Sequence, residues 1–122
     1  MYSLNNRDIT NEFNFNPLTT NGVLSNTVRN IKSTAGRIFG YLIHNPNGSE
    51  AFVQVFYRPS NSVILGTTAP DLIIKVAANG SVAWDFQDPR GVNSIGLSVA
   101  ATTTDTGSTA PTTGLSGTIF HV

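Results

Sequence analysis

Cysteine is absent from the 122 residues, so disulfide staples, thiolate metal sites and a thiol nucleophile are all excluded. Charge is nearly as scarce. Seven basic and seven acidic side chains cancel, and charged residues make up 11% of the chain. That leaves neither a basic footprint for nucleic acid nor an acidic tail. Apolar runs fall far short of the ~18 residues a membrane span requires. The start, Met1-Tyr-Ser-Leu-Asn-Asn-Arg-Asp8, has no basic stretch leading into an apolar one, so no secretory leader is expected. Helical spacing is missing too: Gly, Pro or β-branched clusters break every window in which apolar residues recur at i, i+3, i+4 and i+7. Asn, Ser and Thr fill the polar positions instead. Such a surface packs closely against other protein with little charge to desolvate, and a lone monomer is less soluble for it.

From residue 22 onward the pattern is strand and turn. Strands are expected near 23–32, 36–44, 51–58, 62–65, 71–77, 81–86, 93–101 and 115–121, separated by segments carrying Gly, Pro or Asn. Alternation is clean in two places: Leu72, Ile74 and Val76 interleave with Ile73 and Lys75, and Ile95, Leu97 and Val99 with Gly96, Ser98 and Ala100. Asn79-Gly80 reads as a tight hairpin turn. About eight short strands in one domain predict an all-β, antiparallel β-sandwich, jelly-roll or immunoglobulin-like. The Thr-rich segment 102–114 is long for a loop in a compact domain, so it is expected to make surface contacts. Residues 1–20 are Asn-rich, and they read as an extended N-terminal arm anchored by Phe13, Phe15 and Leu18, with the sandwich domain over 21–122.

The runs Arg37-Ile-Phe-Gly-Tyr-Leu-Ile-His44 and Ala51-Phe-Val-Gln-Val-Phe-Tyr-Arg58 flank an Asn-Pro-Asn-Gly turn and read as a hairpin that is apolar on both faces. One face of an outer strand should be polar, so a second subunit is the expected cover. The candidate interface is therefore Phe13, Phe15, Leu18, Phe39, Tyr41, Phe52, Phe56, Tyr57 and Trp84.

Signals for chemistry are sparse. His44 and His121 are the two histidines, and no third ligand stands at motif spacing. Asp85 and Asp88 are three apart entering a turn, unlike opposed glycosidase carboxylates. Gly96-Leu-Ser98 lacks the second glycine of a nucleophile elbow. No enzyme, metal or cofactor is expected. Trp84, Tyr57 and Tyr41 could form a sugar-stacking platform, which keeps a carbohydrate-binding module as an alternative.

The stretch Ser33-Thr-Ala-Gly-Arg-Ile-Phe-Gly-Tyr-Leu-Ile-His-Asn-Pro-Asn47 resembles a segment of small tailed-bacteriophage virion proteins. There a Ser-Ala-Gly-Arg-aromatic-Gly strand runs into an Asn-Pro-Asn turn. The likeness continues through Phe52-Val-Gln-Val-Phe-Tyr57, Gly66-Thr-Thr-Ala-Pro70, Ile95-Gly-Leu-Ser-Val-Ala-Ala101 and the closing strand Thr118-Ile-Phe120. It departs at Ser81-Val-Ala-Trp-Asp-Phe86, where a Gly-rich or Phe-Pro-Gly turn is expected. The resemblance implies a capsid decoration (cement) protein, made in the host cytoplasm and carried on the capsid surface. Its implied partners are the major capsid protein and copies of itself, expected as a trimer, with no nucleic acid, membrane or small-molecule substrate. A tail, fibre or baseplate protein is the alternative within the same class.

Overall fold

The computed structural model describes residues 11–20, 22–91 and 93–122. Eight strands run through them: β1 (Asn11–Phe15), β2 (Arg29–Lys32), β3 (Ile38–His44), β4 (Ala51–Phe56), β5 (Leu72–Val76), β6 (Ser81–Arg90), β7 (Leu97–Thr102) and β8 (Ser116–His121). They form two four-stranded antiparallel sheets, β1-β8-β3-β6 and β2-β7-β4-β5. The pairs β1·β8, β2·β7, β3·β6 and β4·β5 are successive rungs of one long hairpin. That hairpin has rolled up so that β3 also meets β8 and β4 also meets β7. This strand order is the jelly roll, not the immunoglobulin sandwich.

Rolling the hairpin corrects two expectations. β3 and β4 are not hairpin partners: they lie in different sheets, and the 45–50 turn crosses between them. Asn79-Gly80 likewise carries the chain from β5 in one sheet to β6 in the other. The turn chemistry is still present, with Asn79 at φ 54° and the Gly80 amide donating to the Ala77 carbonyl. A reversing turn fixes the local bend, but it does not decide which sheet the next strand joins.

The core lies between the sheets. Phe13 and Phe15 of β1, Ile38 and Ile43 of β3, Val53 and Val55 of β4, Ile74 and Val76 of β5, and Leu97 and Val99 of β7 alternate inward with Ile119 of β8. Leu24 and Leu115, both fully buried, close one end through a two-bond bridge. Asn11–Phe15, expected in the arm, is therefore an edge strand whose phenylalanines sit in the chain's own core. Their rings are 5.8 Å apart. Residues 1–10 of the arm lie outside the described residues. The segment 62–65, expected as a strand, is instead part of a connection that contains a 3-10 turn, Ser60–Ser62.

β3 carries a bulge between Ile38 and Gly40. One extra residue flips the facing of everything before it, which turns Ile38 inward beside Tyr41 and Ile43. β4 is buried on both faces, but the second cover is the chain itself. Gln54 and Phe56 point away from the core and are fully buried. The Gln54 amide donates to Thr102 Oγ1 at 2.7 Å and to the Gly107 carbonyl at 3.0 Å. Asn26 donates to the Ser108 carbonyl, and Ser98 donates to the Arg58 carbonyl at 2.8 Å. The 102–114 loop and the connection after β4 thus roof the outer face of the β2-β7-β4-β5 sheet.

The Asn-Pro-Asn turn is a buried polar knot. Asn45 is fully buried and its amide donates to the Ser49, Val76 and Ala77 carbonyls. Its Oδ1 accepts from both the backbone and the side-chain nitrogen of Asn47. Asn47 then trades two 2.8 Å bonds with Thr113. Three crossing loops are stapled by two amides, so this part of the motif has a folding role.

Candidate protein-binding face

Facing away from the core, the β1-β8-β3-β6 sheet has no roof among the described residues. Register places its outward side chains in rows across the four strands: Glu12, Phe120, Gly40 and Asp85; then Asn14, Thr118, Leu42 and Ala83; then Ser116, His44 and Ser81. The middle row is uncharged, and Leu42 stands in it 52% exposed. A Cβ at Gly40 would sit 2.5 Å from the Trp84 carbonyl oxygen, so the strands approach closely there and the face stays low. Thr118 Oγ1 donates to Asn14 Oδ1 at 2.6 Å, and His44 Nδ1 lies 2.9 Å from Ser81 Oγ. The polar groups along the face are thus largely paired with each other. Chemically this face is flat, small-grained and cheap to desolvate, the properties a protein-binding surface needs.

The nine expected interface residues are scattered by the roll. Phe13, Phe15 and Phe56 are buried in the single chain, so they cannot meet a partner, and the two-faced hairpin that nominated Phe56 does not exist. Tyr41 and Tyr57 are half-buried against the core. The Tyr41 ring meets Phe86 edge-on at 5.9 Å, and burial raises its hydroxyl pKa. Burial raises that of Tyr57 as well, with Asp71 adding to the effect and Arg90 opposing it. Phe39 is half-buried at the bulge, and Phe52 on the roofed face beside Lys75 and Thr102. Leu18 at 96% and Trp84 at 60% are exposed. They lie at opposite borders of the sheet, Leu18 on the turn after β1 and Trp84 on β6. Leu42, exposed on this face, is not among the nine expected interface residues. Its signal was present: positions 40, 42 and 44 alternate with a buried set, and so do the small and polar positions 116, 118, 81 and 83.

His44 and His121 belong to neighbouring strands but to opposite ends of them, because His44 pairs with Ser116 and His121 with Ile38. Among the described residues no group of three or more His, Cys, Asp or Glu could hold a metal ion. Burial lowers the His121 pKa from its usual 6.5; the neighbouring Val122 backbone opposes that shift and Lys32 adds to it. A cleft near this end, lined by Lys32, Ala35, Gly36, Arg37 and Val122, offers two side-chain cations but no carboxylate, hydroxyl or imidazole side chain.

Fold and face together define a jelly-roll domain with one roofed and one bare sheet. Compared with known proteins, the chain matches no family model and no curated sequence. Among solved structures it is similar to the coat protein of Tobacco streak virus, at 14% identity and a TM-score of 0.42, over 99% of this chain and 89% of that one.

Proposed function

We propose that this chain is a structural protein of a bacteriophage particle: a decoration protein that binds the major capsid protein on the outside of the head and has no catalytic role. The observation that carries the reading is the bare β1-β8-β3-β6 face. The chain covers one sheet with its own loops, while the other is, among the described residues, flat, uncharged along its middle row and centred on exposed Leu42. Many modest contacts of this kind, repeated by the symmetry of a shell, suffice for firm attachment. The jelly roll supports the reading only as a scaffold, since it also serves lectins and cupins. The trimer implied by the resemblance was to draw its apolar interface from the two-faced hairpin; with that gone, the proposal covers attachment to the shell and leaves the trimer out.

The test is reconstitution. Purified protein added to heads lacking it should co-sediment with them, and Leu42→Lys should remain folded yet stay in the supernatant. Antibody labelling that falls on tails or baseplates, with none on heads, would transfer the role to the tail. A second reading, carbohydrate binding, is favoured by one observation, the exposed indole of Trp84. Retention on immobilised glycans that Trp84→Ala abolishes would decide for it.

A further inference from the structure

Four strands border the two sheets: β1 and β6 in the first, β2 and β5 in the second. An edge strand turns the N–H and C=O of every second residue away from its one neighbour, and these groups template another strand unless the chain blocks them. Three of the four edges are blocked. β5 presents Lys75, ion-paired with Glu50 at 3.1 Å. β2 is four residues long and bulged, and β1 carries exposed Glu12. β6 is different. Ser81-Val-Ala-Trp-Asp85 pairs with β3 residue for residue, and its first four residues carry no charge and no proline. Ser81, Ala83, Trp84 and Asp85 are all exposed.

We propose that β6 is where two copies of this chain join, antiparallel about a two-fold axis at Ala83, so that two four-stranded sheets become one of eight. A two-fold contact must be self-complementary, and this segment is. The axis sets Trp84 opposite the partner's Val82 and Asp85 opposite the partner's Ser81, and opposed side chains share a face. Each indole then covers a valine, which gives a reason for an exposed Trp on an edge strand. Ala83 meets Ala83 at the axis, where only small side chains fit comfortably. Each Asp85 carboxylate comes beside the other copy's hydrogen-bonded Ser81–His44 pair, an anion beside donors. An axis at Asp85 would set two carboxylates against each other. Pairing ends past Asp85, where β6 spends five residues against two of β3. This pairing is independent of the capsid reading and leaves Leu42 uncovered.

The chain has no cysteine, so Ala83→Cys introduces a single thiol at the axis. Mild oxidation of that variant should give a disulfide-linked dimer, whereas Leu42→Cys, on the same face but one strand inward, stands about 14–15 Å from its copy, three strand spacings, and should cross-link at most about one-tenth as much. Wild-type protein should sediment at twice the mass of the chain at about 100 μM, a concentration that populates a dimer of micromolar affinity. Ala83→Lys should raise the dissociation constant about tenfold or more through opposed like charges, and mixing it with Ala83→Glu should restore the dimer. Wild-type protein that stays monomeric, an Ala83→Lys dimer as tight as wild type, or cross-linking through Leu42→Cys in place of Ala83→Cys overturns the pairing.

Discussion

Asn45 concentrates much of what one side chain can do for this fold. Its amide reaches three backbone carbonyls and its oxygen receives two donors from Asn47. Replacing it with alanine strands those groups away from water, and each unsatisfied buried group is costly. Asn45→Ala should lose about 2–3 kcal/mol of unfolding free energy in a urea titration; a loss within about 0.5 kcal/mol, the ordinary surface range, would mean the knot is ornamental. His121 makes a second case, read out by pH. Its Nδ1 is buried without a bonding partner among the described residues, and burial depresses the folded-state pKa below 6.5. Depression means that the unfolded chain takes up the proton more readily. Stability is therefore full above pH 6.5 and lost as pH falls through the lower, folded-state value. Unfolding titrations at a series of pH values should show that decline, and His121→Gln should flatten it.

Among the elements, β1 makes the sharpest prediction because the sequence reading and the fold disagree about it. As an arm, residues 1–20 could be deleted and leave a folded sandwich. As a strand, they carry Phe13 and Phe15 into the core, and each such ring is worth about 3–5 kcal/mol against a total stability of about 5–15 kcal/mol. Deletion of 1–20 should therefore leave a chain without cooperative thermal unfolding. A truncated protein that melts like the full chain would restore the arm. The signal for β1 was legible: Asn11-Glu-Phe-Asn-Phe15 alternates with period two, and the surrounding asparagines masked it. The β5 alternation was read correctly, because Leu72, Ile74 and Val76 face in while Ile73 and Lys75 face out. Val63-Ile-Leu65 misled the reading, since apolar composition alone does not distinguish a strand from a roofing connection. Sheet membership was not legible at all. The double burial of β4 was legible, but its cause was not: the cover is the chain's own Thr-rich loop, and no local pattern says where a loop will fold back.

For the molecule as a whole, rolling a long hairpin joins the two ends of the chain first to each other and then to the middle: β1 to β8, β8 to β3. Nearly every rung is therefore a long-range pairing, the costly kind in chain entropy, and it leaves the central strands protected and four edges to manage. The same roll separates the two sheet faces into different tasks. Loops that cross between sheets roof one face, and nothing among the described residues covers the other. That bare face carries Glu12 and Asp85 at its borders and His44 in one outer row, with an uncharged row between them. Attachment through it, as proposed, should depend on apolar and hydrogen-bonded contact with little contribution from charge. Raising salt from about 50 mM to about 500 mM shortens the screening length severalfold, so a charge-driven contact would weaken steeply. Co-sedimentation of the protein with heads should change less than about twofold over that range, because little of the contact is there to be screened. A steep loss would move the contact away from this face, toward the cationic end that carries Lys32 and Arg37. Leu42→Lys, which leaves that end untouched, would then bind as well as wild type.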